Sequence, residues 1–243
     1  MKMLVTRPEA DGLGTLRRLK MLDIEAVAAP LLRKQVLDTD LPGAGQFVAM
    51  AVSSSNALRA LDERGVFDQF RHLPVYAVGD RTAQVAVGMG CAKVISAAGG
   101  FVELVDALVD ANLTGPVFYP AGQALSGDLA GIVAAVGVEV VTVPVYEMVA
   151  VAALPNDIVS EIADGTIAAV LLFSRRTATS FVDALAAVTN SEQRRALSVL
   201  CISDAVAEPL VRAGYSLGGV SKRPDEESMM SLALTFARAQ YAS

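Results

Sequence analysis

Short apolar runs along this chain alternate with stretches in which apolar residues recur every three or four positions, and glycine or small polar residues separate the two patterns. The first pattern predicts buried strands and the second amphipathic helices. Met3 to Thr6 reads as a strand, Arg7-Pro8-Glu9 as a turn, and the residues beyond as a helix with Leu13, Leu16 and Leu19 on its apolar face. Asp23 turns the chain, and Ile24 to Ala29 forms the next strand, ended by Pro30. Phe47 to Val52 follows as a buried strand, then Ser53-Ser54-Ser55-Asn56 as turn and helix cap, then a helix from Ala57 toward Arg64. Hydroxyl and amide side chains at such a turn satisfy N–H groups that the first turn of a helix leaves without partners. A helix after Ser96-Ala97-Ala98-Gly99-Gly100 shows Phe101, Leu104, Val105 and Leu108 at helical spacing. Strands alternating with helices in this way predict an α/β fold, a parallel sheet covered on both faces.

The pattern is then repeated. Met3 through Pro30 matches Val117 through Pro144 at an offset of 114, Ser54 matches Ser174 at 120, Gly90 matches Gly214 at 124 and Ser96 matches Ser221 at 125. Val75 to Ala83 and Val199 to Ala207 are both an apolar strand, a small polar turn and a helix start, and both helices are stopped by glycine. A few inserted loop residues make such an offset drift slowly upward, so the chain is a duplication of a unit of about 120 residues. Gly137 stands in the second copy where Asp23 stands in the first. Glycine accepts a positive φ cheaply at a helix end, and aspartate tolerates it better than most residues. Lys34 to Asp40 and Glu147 to Ala153, after the matched prolines, read as extended chain. Periodicity leaves two arrangements open. Each copy folds as its own bead, or the first strand-helix-strand unit joins the last part of the chain in a discontinuous domain.

With 243 residues, 53% hydrophobic and 19% charged, the chain falls in the globular class with one or two domains. It offers no apolar run long enough to span a membrane and no signal-peptide pattern after Met1-Lys2, which predicts a cytoplasmic protein. Cys91 and Cys201 lack the companions that a disulfide framework or a metal site requires, and read as inert buried thiols. The one histidine, His72, reads as a solvated loop residue, so chemistry on a histidine dyad or histidine-rich metal centre is not expected. A formal charge of −6 without a lysine-arginine run argues against nucleic acid as a partner. No dinucleotide fingerprint, P-loop or metal cluster is present in the sequence.

Val5-Thr6-Arg7-Pro8, Ser53-Ser54-Ser55-Asn56-Ala57-Leu58, Ala77-Val78-Gly79-Asp80-Arg81-Thr82-Ala83, Pro144-Val145-Tyr146-Glu147 and Phe173-Ser174 carry a further signal. In that order and spacing, over essentially the whole chain, the sequence resembles the uroporphyrinogen-III synthase family. The resemblance implies two similar parallel-sheet α/β sandwich domains, joined by a two-stranded linker over an open cleft. Residues 1–35 with 151–243 would form one domain, and 36–150, with the linker strands, the other. It also implies a monomeric, cofactor-independent lyase of tetrapyrrole biosynthesis, which receives hydroxymethylbilane through transient contact with the preceding pathway enzyme. That substrate is a linear tetrapyrrole with eight carboxylates. Its terminal hydroxyl leaves, and the far ring attacks through its substituted carbon. The spiro intermediate then reopens and closes with that ring inverted.

Tyr146 and Thr82 are the candidate catalytic residues. The repeat places Leu32 opposite Tyr146, so only one copy carries a phenol there. A phenol is protonated at neutral pH and can donate to a departing hydroxyl. Thr82, at a helix start, offers a hydroxyl beside N–H groups that favour an anion. Arg7, Ser54, Asn56, Gly79, Arg81, Gly122, Ser174, Arg175 and Arg176 are the candidate substrate-binding residues, in turns that follow strands, where ligands of parallel sheets collect. Each has a plainer reading: Tyr146 braces the linker, Thr82 and the serines cap helices, and the arginines are solvated. Two positions depart from the family pattern. Val206 stands where a threonine is expected, and the Pro120-Ala121-Gly122-Gln123 turn lacks a nearby basic residue. A two-domain binding protein for a small acidic ligand is the rival reading, as is a regulatory domain that has lost its activity, which Val206 favours.

Overall fold

The alternation in the sequence becomes eleven strands and ten α-helices among the residues that the computed structural model describes, 1–125 and 127–241. The first copy opens with β1 (Lys2–Val5), α1 (Glu9–Met21) and β2 (Ala26–Ala28), followed by β3 (Leu32–Val36). It continues through β4 (Ala49–Val52), α2 (Ser55–Glu63), β5 (Val75–Ala77), α3 (Asp80–Gly88), β6 (Val94–Ser96) and α4 (Phe101–Asp110). The second copy opens with β7 (Val117–Gly122), α5 (Leu129–Ala134) and β8 (Val140–Ala150). Next come α6 (Asn156–Ala163), β9 (Ile167–Leu172), α7 (Arg175–Leu185) and α8 (Ser191–Ala196). β10 (Ser198–Cys201), α9 (Asp204–Arg212), β11 (Ser216–Val220) and α10 (Glu226–Tyr241) complete it.

Contacts divide the chain into two units, Met1–Arg33 with Val149–Ser243, and Lys34–Met148. The first unit holds a sheet in the order β2-β1-β9-β10-β11, parallel throughout. In the second, β8-β7-β4-β5-β6 are parallel and β3 flanks β8. Exchanging each strand for its repeat partner turns one order into the other. Even the register repeats: Met3 lies opposite Ala26 and Ala169, and their counterparts Val117, Val140 and Ala49 meet in the same way.

Alternate strand residues point to opposite faces, so each sheet has two cores. In the first unit Leu4, Val170 and Leu172 pack with Ile158, Phe181 and Leu210, while Met3, Val5 and Leu171 pack with Leu19, Met229 and Ala233. In the second, Met50, Val52 and Phe118 meet Leu58, Leu61 and Ala86, and Ala49, Ala51 and Val117 meet Leu104, Leu108 and Leu129. Asp23 and Gly137 both adopt a positive φ, at 57° and 83°, as the helix-ending reading requires.

Two sequence expectations need correction. Leu13 is 49% exposed, and α1 faces its sheet through Gly12, Thr15 and Leu19 instead. A Cβ on Gly12 would stand 3.0 Å from the Arg7 carbonyl oxygen, so its absence lets the helix approach that closely. Pro30 does end a strand, but its counterpart Pro144 lies inside β8. The register slips there, with Ala121 opposite Pro144 and Gly122 opposite Tyr146, and this bulge lets the strand continue past a residue that has no N–H. Cys91 and Cys201 are buried, and burial pushes the Cys201 thiol up to about 12. His72 is exposed. Among the described residues no helix is long and apolar enough to cross a membrane.

Candidate active site

Parallel sheets bind ligands beyond the C-terminal ends of their strands, where helices leaving adjacent strands diverge to opposite faces. In the second unit that divergence lies between β4 and β7. α2, after β4, covers one face, and α5, after β7, covers the other. Most candidate residues of this unit follow or end β7, β4 and β5, whereas Tyr146 lies inside the neighbouring β8, opposite the end of β7.

Tyr146 owes its placement to the bulge, which seats it opposite Gly122. A Cβ on Gly122 would lie 3.0 to 3.3 Å from the phenol ring and hydroxyl, so any larger residue there would have to displace this side chain by a few tenths of an ångström. Its flanks are fixed from the backbone, where Gln123 N–H donates to the Tyr146 carbonyl at 2.8 Å and Thr39 Oγ1 to that of Pro144 at 2.7 Å.

Gly79 is the N-cap of α3 and brings no side chain to it. Its missing Cβ would stand 3.2 Å from the Gly99 carbonyl. Ala83 N–H is the first to bond back, to the Gly79 carbonyl at 3.0 Å, which leaves the N–H groups of Asp80, Arg81 and Thr82 outside the helical ladder. Thr82 is therefore not a cap. It sits three residues into the helix, 7% exposed, and its hydroxyl has no partner among the described residues. The other buried threonines, Thr6, Thr15, Thr177 and Thr189, are all hydrogen-bonded. Asp80 beside it accepts from Ser96 Oγ at 2.7 Å, and Arg81 is exposed.

Ser54 does act as a cap, its hydroxyl accepting from Asn56 N–H at 3.2 Å, and the Asn56 amide lies 3.9 Å from the Met148 sulfur. Two residues missed by sequence reasoning meet beside it. Ser53 Oγ and the Tyr119 hydroxyl are 2.7 Å apart, linking the residue after β4 to the middle of β7. Burial pushes the Tyr119 phenol up in pKa, and the Ser53 hydrogen bond opposes that. The signal was available: the offset of 114 that sets Tyr146 against Leu32 also sets Tyr119 against Val5.

In the first unit the corresponding edge follows β1 and β9. Arg7 is held internally, by Asp11 at 2.8 Å and Glu226 at 3.4 Å, with its guanidinium 4.4 Å from the centre of the Phe173 ring. A depression of about 380 Å³ beside it is lined by Arg7, Gly12, Leu13, Ala28 and Pro30. Ser174 caps α7 by accepting from Thr177 N–H at 3.1 Å. Arg175 pairs with Glu208 at 2.5 Å and donates to the Ala205 carbonyl at 3.4 Å. Pro209 inside α9 lacks the N–H that this carbonyl would otherwise accept from, so Arg175 stands in for it. Arg176 is exposed, and Val206 is buried in the core. Among the described residues no three His, Cys, Asp or Glu side chains gather as a metal-holding group.

The family model described as HEM4, uroporphyrinogen-III synthase HemD, matches residues 15–231. Among solved structures, the uroporphyrinogen-III synthetase of Helicobacter pylori 26695 is similar over 97% of this chain and 99% of its own, with 19% identity and a TM-score of 0.65. A mutant uroporphyrinogen III synthase of the extremely thermophilic bacterium Thermus thermophilus is similar over 100% of both chains, with 12% identity and a TM-score of 0.50. At those identities the likeness is one of fold. A search of curated proteins finds no match. The two-unit α/β architecture agrees with the family match, which extends over most of the sequence, and the chain belongs to the uroporphyrinogen-III synthase family.

Proposed function

We propose that the C-terminal edge of the second unit's sheet carries out the family's reaction on hydroxymethylbilane, with Tyr146 as proton donor and Thr82 as anchor. The C–O bond of the terminal hydroxymethyl group breaks with electrons from its own pyrrole. The Tyr146 phenol gives its proton to the departing hydroxyl, releasing water and an azafulvene cation. The far ring attacks that cation through its substituted carbon to form the spiro bond. The spiro centre reopens, the ring closes in the inverted sense, and the proton lost on rearomatisation returns to the phenolate. One water leaves and no electrons are exchanged, so proton transfer and orientation are the whole chemical demand.

Orientation matters because the open chain closes unaided to the unrotated isomer. Favouring inversion by about a hundredfold takes roughly 2.7 kcal/mol of differential transition-state stabilisation. The Thr82 hydroxyl and the unladdered N–H groups at the start of α3 suit a substrate carboxylate, and Arg81 adds a cation beside them. Gly79 lets the backbone approach Gly99, and Gly122 leaves space for the phenol, which is 9% exposed and packs against the core beside α2. Ser54 and Asn56 shape the start of that helix. In the first unit Ser174, as cap, and Arg176, exposed after β9, stand at the corresponding edge, whereas Arg7 and Arg175 hold their own unit together.

The observation that carries this reading is the bulge that seats Tyr146 against Gly122. The same reading takes the protein as a cytoplasmic monomer that receives its labile substrate through brief contact with the preceding pathway enzyme. The deciding assay supplies fresh hydroxymethylbilane, oxidises the products and separates the isomers by chromatography. Type III in excess over a protein-free control supports the reading, and type I alone refutes it.

A further inference from the structure

We infer that Tyr119 is a positioning residue, which holds the Ser53 hydroxyl so that it can donate to a carboxylate of the substrate. Ser53 is the first residue beyond β4 and half-buried, whereas Tyr119, in the neighbouring β7, is 1% exposed. Their oxygens lie 2.7 Å apart across 66 residues of sequence. Of the two hydroxyls the phenol carries the more acidic proton, so it donates and the serine oxygen accepts. Burial raises the phenol's pKa and keeps that proton in place across neutral pH. A serine that accepts in this way is the better donor through its own proton, which is left to point elsewhere. Ser54 next to it has its oxygen engaged by Asn56 N–H.

The duplication supplies an internal control. Tyr119 corresponds to Val5 at an offset of 114, and Ser53 to Phe173 at 120. β1 and β9 pair in the first unit as β7 and β4 do in the second, and there Val5 and Phe173 fill the same place with apolar packing. The fold is thus satisfied at this place without hydroxyls. Burying a phenol carries a desolvation penalty that an apolar pair avoids, so a polar pair here points to a task beyond folding.

The inference rests on the assignment of the hydroxymethylbilane site to this edge, and its test separates the two. Tyr119→Phe and Ser53→Ala are made singly and together, Ser53→Thr is added, and type III formation is followed alongside thermal unfolding. Wild-type protein that yields type I alone overturns the site reading itself. With wild-type protein active, each single variant is expected to raise KM about tenfold with little change in kcat, as for loss of one hydrogen bond to a charged group. The double variant should match the worse single one, and Ser53→Thr should keep the wild-type KM. An unchanged KM in Tyr119→Phe, losses that multiply in the double variant, an alanine-like Ser53→Thr, or a fall in kcat that tracks a lowered melting temperature would each overturn the positioning role.

Discussion

The two units share strand order and register yet differ at the candidate edge, on the side where parallel sheets in general bind ligands. In Lys34–Met148 that edge carries hydroxyls at Ser53, Thr82, Tyr119 and Tyr146, and the matching positions of the other unit are Phe173, Val206, Val5 and Leu32. Charge is divided just as unevenly. The hydroxyl-bearing unit has 6 Lys and Arg against 12 Asp and Glu, and the other has 14 against 14, so the whole formal charge of −6 belongs to the former. An acidic lobe repels a polyanion at long range. On the proposed reading, carboxylates held there are gripped locally, by hydroxyls and the N–H groups at the start of α3. Most of the arginines sit in the neutral unit, where Arg7, Arg18, Arg175, Arg212 and Arg223 are committed to internal ion pairs.

Substitutions that make one unit resemble the other test this contrast. Removing the phenol has the largest expected effect: Tyr146→Phe should lower kcat about a hundredfold, the lower range for a lost general acid, with an unchanged melting temperature. A variant that melts early yet turns over at the wild-type rate per folded molecule would return Tyr146 to a bracing role. Thr82→Val, which copies the first unit's Val206, should reduce kcat/KM about tenfold. Stability should hold, because valine has nearly the same shape and the hydroxyl it replaces makes no internal bond; full activity would remove Thr82 from the site. The reverse exchange, Val206→Thr, buries a hydroxyl in an apolar core and should lower stability by about 1 to 3 kcal/mol in denaturant titration. Isomer formation by the folded fraction should be unaffected, and a gain in activity would mean that the first unit's edge also works on substrate. Smallest is Arg7→Ala, expected to destabilise by about 1 kcal/mol with KM held constant. A raised KM at full stability would instead make Arg7 a substrate ligand.

Much of this was legible from local pattern. Ser54 and Ser174 cap helices as their turns suggest, and Asp23 and Gly137 take the positive φ that ends a helix. The apolar face of α1 was legible at Leu16 and Leu19 but not at Leu13, which obeys helical spacing yet is exposed, whereas Gly12 brings the helix close to the chain beside it. The cap reading of Thr82 failed for a different reason: Gly79 takes the N-cap position without offering a side chain. Ser53 and Tyr119 could have been found by comparing the copies, yet their bond could not.

Periodicity and self-similarity, which depend only on neighbours along the chain, were enough to specify a duplicated unit, its strand-helix order and the serine caps of α2 and α7. Which polar groups are already engaged was settled by folding. Arg7 meets Glu226, Arg175 replaces the N–H missing at Pro209, and Pro144 slips the register that aims Tyr146. Those partners lie far apart in sequence or depend on the adjoining strand, and a hydrogen bond's strength falls so steeply with distance and angle that only the packed structure can assign it.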